Sequence, residues 1–120
     1  MPVPGSLRKT CRDFLGIDGE IRYIFPARSY GGGAGFLFVI TDDRISVITT
    51  GAFGRTGPKS VWGGYPRGTR IGPVETGNGA SFTFAGGEFE IDDEYIAVVN
   101  AADAEIFDRD SLPRDPLPDL

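Results

Sequence analysis

The sequence predicts a mainly β domain: a partly open barrel of about seven short strands in two packed antiparallel sheets, with one helix before the strands and one after them. Eighteen glycines and nine prolines among 120 residues indicate frequent turns between short elements. Between residues 20 and 91 apolar and polar side chains alternate, which is the period of strands. Because an open sheet of this size would leave two long edges unpaired, we expect it to curl and pack on itself.

The segment SLRKTCRDFL predicts a short amphipathic N-terminal helix, with Ser6 as its N-cap and Gly16 as its stop. Its apolar residues recur at helical spacing: Leu7, Cys11, Phe14 and Leu15. We therefore assign residues 1–15 to a leader and this helix.

Strong β-forming residues, separated by short polar or glycine-rich breaks, predict seven strands. These lie in the segments EIRYIFPARSY, FLFVIT, RISVITT, KSVWGGY, TRIGPVE, SFTFA and EFEID. The second and third should form a hairpin around Asp42 and Asp43, and the fourth and fifth should flank a corner at residues 66–68. Trp62 and Tyr65, three apart on one strand, should face opposite sides of the sheet.

The segment DDEYIAVVNAADAEIF predicts a helix over residues 93–107, and its apolar stripe should plug one open end of the barrel. Asp92 or Asp93 is the expected N-cap, and the acidic residues of the first turn suit the helix dipole. We assign residues 16–108 to the β domain with this helix. Residues 109–120, rich in aspartate and proline, should form a disordered tail.

The residue types argue against an enzyme or a metal protein. Histidine is absent, and Cys11 has neither a histidine nor a second cysteine to act with. The clustered carboxylates fit turns, a solvated strand face and a helix start better than a catalytic dyad or a calcium site. The loop GGGAG lacks the Lys-Ser/Thr ending of a phosphate-binding loop. We expect no catalytic residues, no metal and no cofactor.

The sequence also predicts a compartment. Its start resembles no signal peptide, and its longest apolar run, FLFVI, is far too short to span a membrane. A lone cysteine fits a reducing environment. We therefore expect a cytoplasmic protein without an integral membrane segment.

The net charge of −5 is spread unevenly along the chain. Residues 44–74 hold five basic side chains and no acidic one, whereas residues 75–120 hold two basic and twelve acidic side chains. The basic stretch either pairs with the acidic C-terminal third inside the fold or forms a patch for a partner. We expect no nucleic-acid binding. A chain of pI 4.6 with so few basic side chains offers only a small positive surface to the phosphates.

The stretch VWGGYPRGTRIGP contains the candidate binding residues Trp62, Tyr65, Arg67 and Arg70. Arginine and aromatic side chains are typical anchors of protein interfaces. The alternative is that Trp62 enters the core and the two arginines form salt bridges with the acidic terminal helix.

Four segments, FLGIDGEIRYIFPA, VITDDRISVIT, VWGGYPRGTRIGPV and NAADAEI, resemble small bacterial pleckstrin-homology-like (PH-like) domains of uncharacterised actinobacterial proteins. The resemblance covers about residues 14–107 and implies a seven-stranded barrel capped by a C-terminal helix. It implies a non-enzymatic protein-binding or assembly module, with a protein partner or a second copy. The alternative is peripheral binding of an anionic lipid or small anion through Arg22, Arg28 and the loop at 29–35, which includes Tyr30.

Overall fold

The computed structural model describes residues 5–17, 19–31, 34–50, 58–77 and 79–111, with side chains described as far as residue 106. Two α-helices flank the strands: α1 is Gly5–Leu15 and α2 is Ile96–Ser111, preceded by a 3₁₀ turn at Asp93–Tyr95. The strands are β1 Tyr23–Ser29, β2 Gly35–Ile40, β3 Arg44–Thr50, β4 Pro58–Pro66, β5 Ala80–Phe84 and β6 Gly87–Ile91. The predicted mainly β class with a helix on either side is confirmed.

The six described strands form one antiparallel sheet in the order β4-β3-β2-β1-β6-β5. In a flat sheet β4 and β5 would lie about 24 Å apart. The rings of Tyr65 on β4 and Phe84 on β5 are nevertheless 4.9 Å apart between centroids. The sheet therefore curls until its two ends face each other, and the described strands form one sheet where the sequence predicted two packed sheets.

The predicted fifth strand, TRIGPVE, does not form. Residues 69–74 have no strand structure, and only Glu75 makes an isolated bridge, with Ser81. Pro73 has no backbone N–H to donate to a ladder. The N–H groups of Ile71 and Gly72 donate instead to the carboxylate of Asp103 on α2.

The curled sheet has an apolar cluster on each face. The inner face holds aromatic residues of β1, β2, β5 and β6 together with Tyr95, Val99 and Ala102 of the C-terminal helical segment. The outer face holds a smaller cluster, which α1 covers with Leu7, Cys11 and Leu15. Strand β2 is buried on both faces, which explains its continuous apolar run FLFVI.

Both helices form, with different ends from those predicted. Helix α1 begins at Gly5, so Ser6 lies inside it and is not its N-cap; its carbonyl accepts a hydrogen bond from the Thr10 hydroxyl. Gly16 follows the helix at a φ of 67°, as a stop residue does. Asp92 precedes the 3₁₀ turn without making a side-chain cap.

Helix α2 continues to Ser111, beyond the predicted end at residue 107. Of the disordered tail predicted at residues 109–120, residues 109–111 belong to α2. Residues 112–120, and residues 32 and 33 of the GGGAG loop, lie outside the described residues. The domain boundaries stay predictions.

Candidate functional site

Strand β4 contains a β-bulge at the tryptophan. Val47 of β3 pairs with Gly63 and Ile48 pairs with Val61, so Trp62 has no partner of its own across the ladder. An extra residue in one strand reverses the alternation of the side chains that follow it.

The bulge places both aromatic rings of β4 on the inner face. The Trp62 ring lies 5.7 Å from that of Phe36 and 5.8 Å from that of Phe89, between centroids, and Tyr65 contacts Phe84. The prediction that Trp62 and Tyr65 face opposite sides is therefore wrong. Trp62 reaches the core with one edge and stays 42% exposed, so it is neither fully buried nor a free surface ring.

The two arginines of the stretch have different surroundings. Arg67 is only 5% exposed, and its Nη2 donates to the carbonyl of Ala102 at 3.2 Å and to Oε1 of Glu105 at 2.9 Å. Its Nε and Nη1 are buried and have no hydrogen-bond partner among the described residues. Arg70 is exposed and forms no ion pair within the described part of the chain. Of these two arginines, only Arg67 forms the predicted salt bridge with the C-terminal helix.

Glu105 on α2 is the centre of a polar network. It accepts hydrogen bonds from the guanidinium groups of Arg22 and Arg67 and, at 3.1 Å, from the hydroxyl of Tyr23. Burial alone would raise the pKa of Glu105, but these hydrogen bonds outweigh it and hold the pKa below its ordinary value. The same contact raises the pKa of Arg22. This network joins α2 to the start of β1 and to the segment after β4.

Asp103 holds the segment that follows β4. Its Oδ1 accepts from the N–H of Ile71 at 2.9 Å and its Oδ2 from the N–H of Gly72 at 2.8 Å. A Cβ at Gly72 would lie 3.0 Å from Oδ2 of Asp103 and 3.1 Å from the Val74 nitrogen, so the close approach favours glycine. Sequence reasoning missed Asp103, and the only signal was an acidic residue within the AAD stretch of an apolar helix face.

The two arginines proposed for anion binding do not form a common site. Arg28 lies 3.6 Å from Glu90 and 3.3 Å from Asp92, and Arg22 pairs with Glu105. The two arginines are six residues apart, a separation of about 20 Å along an extended chain. Each guanidinium therefore already has a carboxylate partner, far from the other.

Tyr30 of the proposed lipid-binding loop is 53% exposed, and its N–H donates to the carbonyl of Glu88. The tyrosine thus extends the pairing of β1 with β6 and leaves its ring in solvent. The described loop residues around it contribute no basic side chain.

The remaining candidate binding residues lie on the exposed side of β4 and beside it. Val61 is 55% exposed beside the half-exposed Trp62, and β4 stands at the end of the described strand order. Lys59 is exposed on the same strand, and Arg44 is exposed on β3 and extends over Gly64, with its Nη2 3.8 Å from a Cβ built there. We call Arg44, Lys59, Val61 and Trp62 the β4 edge surface.

No group of three or more histidine, cysteine, aspartate or glutamate side chains suited to a metal ion occurs in the described ranges. Cys11 is buried on the face of α1 that packs on the outer cluster, and burial raises the pKa of its thiol. Among the described helices, none has the length and apolar character needed to cross a bilayer.

The chain matches no protein-family model, no curated protein and no solved structure.

Proposed function

We propose that this chain is a non-enzymatic protein-binding or assembly module of PH-like architecture, and that it binds through the β4 edge surface. The observation that carries the proposal is the exposure of Val61 and Trp62 on a strand that pairs, among the described strands, only with β3. Apolar and aromatic side chains beside an unpaired backbone are what a partner strand needs.

The finer fold assignment is part of the proposal. A sheet that curls until its ends meet, with apolar residues of α2 in its inner cluster, supports a partly open barrel closed by a C-terminal helix. The buried Cys11 fits the expected cytoplasmic, bacterial setting. Arg22 and Arg28 are already ion-paired, so no observation favours the alternative of anionic lipid binding.

Two matched double variants test the proposal. Val61→Ser with Trp62→Ser should abolish partner capture or self-association, because it removes the two apolar side chains of the β4 edge surface. Phe14→Ser with Tyr30→Ser should leave binding intact, because it removes equally exposed rings elsewhere, at 41% and 53% exposure.

Binding is measured as affinity capture with crosslinking, and self-association as the molar mass by light scattering. Circular dichroism confirms that both double variants are folded. Equal losses in the two variants, or unchanged binding in the first, would contradict the proposal.

A further inference from the structure

We infer that the β4 edge surface binds a short, extended, acidic segment of another protein, which adds to the sheet as a further strand. The inference rests on the proposed function and names the chemistry of the partner for the same surface. Its three supports are the backbone of β4, the charges around it, and the two bulges that limit what can pair with it.

The backbone of β4 is the first support. Strand β4 has nine residues, and among the described strands only β3 pairs with it, so no described strand pairs with the other side of its peptide groups. An edge strand presents a row of N–H and C=O groups that an added strand can satisfy. Gly64 carries no side chain, and a Cβ built there would meet only Arg44 within 4 Å, whereas the Tyr65 side chain already lies over Gly63. A second backbone can therefore approach closely at Gly64.

Charge complementarity is the second support. Arg44 on β3 and Lys59 on β4 are exposed, and the sequence has no acidic side chain between residues 44 and 74. Around β5, at the other end of the sheet, Glu75 and Glu88 are exposed. Like charges across an interface repel and opposite charges attract, so β4 favours an acidic partner.

The same charges disfavour a second copy of this chain. Pairing β4 with β4 across a two-fold axis would bring the cations of both copies together. Pairing β4 with the acidic β5 edge is hindered as well, because Ser81 of β5 already exchanges two backbone hydrogen bonds with Glu75, at 2.7 and 2.9 Å.

The bulges are the third support. Register shifts occur between Val47 and Ile48 and between Thr49 and Thr50, which leave Trp62 and Lys59 as extra residues of β4. Bulges twist an edge and interrupt long regular pairing, so the remaining edge suits a short segment.

The arrangement also predicts the pattern of that segment. Val61 pairs with Ile48 of the outer cluster, whereas Trp62 contacts the inner cluster, so an added strand would meet an apolar anchor on each face. Lys59 lies at one end of this region and Arg44, over Gly64, at the other. Five residues of strand span about 16 Å, so we expect apolar residues at the centre of the segment and acids about five positions apart.

The test is a selection from a displayed library of random peptides of about twelve residues against the immobilised full chain. Affinities of the enriched peptides are then measured from the fluorescence of Trp62, the single tryptophan. We expect enrichment of acidic, strand-forming peptides. Their affinity should fall at least about tenfold in Arg44→Glu with Lys59→Glu and should weaken with salt.

The matched control is Lys9→Glu with Arg12→Glu, which makes the same change in net charge at exposed positions of α1. This variant should keep the affinity within about twofold. A thermal melt of each variant checks that folding is retained.

Three results would overturn the inference, and they separate it from the proposed function. Peptides without acidic bias, or equal losses in both charge variants, would overturn the acidic-segment inference and leave the binding module standing. A dimer that dissociates in the Val61 and Trp62 variant would overturn it in favour of a second copy. No enrichment, together with a monomeric chain that captures no partner, would overturn both.

Discussion

The stretch from residue 58 to residue 74 divides into two parts of similar composition and opposite placement. In the first part, β4 leaves Lys59, Val61 and Trp62 exposed. In the second, Arg67 and Ile71 are buried against α2. α2 offers acceptors to these two residues, namely the carbonyl of Ala102 and the carboxylates of Asp103 and Glu105. Basic charge in the sequence therefore does not by itself mark a binding residue; the position of the acceptors decides.

The largest expected effect comes from the carboxylate that holds the second part. Asp103→Ala should lower the free energy of unfolding by about 3 kcal/mol, because it leaves the N–H groups of Ile71 and Gly72 without acceptors. Asp103→Asn keeps one acceptor oxygen and should lose about half as much. Urea unfolding at neutral pH measures both. A loss no greater than that of Asp93→Ala, at an exposed position of the 3₁₀ turn, would show that Asp103 does not hold this segment.

The two arginines give the direct comparison of a buried and an exposed cation. Arg67→Met should cost about 2 kcal/mol of unfolding free energy, because Ala102 and Glu105 lose a buried charged donor. The loss is limited because Nε and Nη1 of Arg67 have no hydrogen-bond partner among the described residues, and the substitution means that their N–H groups no longer have to be buried. Arg70→Met should change stability by less than about 0.5 kcal/mol. Chemical denaturation of the Arg67→Met and Arg70→Met variants measures both free energies of unfolding. Equal losses would show that the buried and the exposed arginine contribute alike to stability.

Two glycines sharpen the comparison further. Gly72→Ala should destabilise by about 1 kcal/mol, because the added methyl would lie 3.0 Å from Oδ2 of Asp103 and 3.1 Å from the Val74 nitrogen. Gly68→Ala is the matched control, since a Cβ there meets nothing within 4 Å, and it should be neutral or slightly stabilising. Thermal melts give the comparison, and a neutral Gly72→Ala would mean that the segment shifts freely beside α2.

Most of the fold could be predicted from the sequence because local periodicity determines it. The strands β1 to β6 follow runs of β-forming residues, which in β2 are continuously apolar, and α1 and α2 follow helical spacing. The predicted fifth strand, TRIGPVE, does not form because the N–H groups of Ile71 and Gly72 donate to Asp103, which lies 31 positions from Gly72. No local pattern carries that contact.

The candidate site was less predictable for two physical reasons. A bulge is a property of the register between two strands, so the alternation within β4 alone placed Trp62 and Tyr65 on opposite faces. Arg67 and Arg70 also look alike in sequence, and only the packing of α2 separates them. The adjacent Gly63 and Gly64 were the one local hint, because glycine within a strand often marks a bulge.

The smallest expected effect is a pH dependence from Glu105. Its pKa is lowered in the folded chain, so its contribution to stability is present above the ordinary pKa of a glutamate. The contribution should disappear as the pH falls through the lowered folded pKa. The difference in stability between the natural chain and Glu105→Gln should therefore be constant near neutral pH and shrink as the pH falls below the ordinary pKa of a glutamate.

A variant that lacks one of the hydrogen-bond donors to Glu105 shows whether this pH dependence comes from the ion pairs. Arg22→Gln removes the hydrogen bond that lowers the pKa of Glu105 most, so the difference caused by Glu105→Gln should be smaller in that background. Urea unfolding is measured across the pH range for the natural chain, Glu105→Gln, Arg22→Gln and the double variant. It gives the stability difference caused by Glu105→Gln with and without Arg22. A difference that stays the same at neutral and acid pH would assign the role of Glu105 to packing. In that case the attachment of α2 to the segment after β4 would rest on Asp103 and on the Arg67 bond to the Ala102 carbonyl.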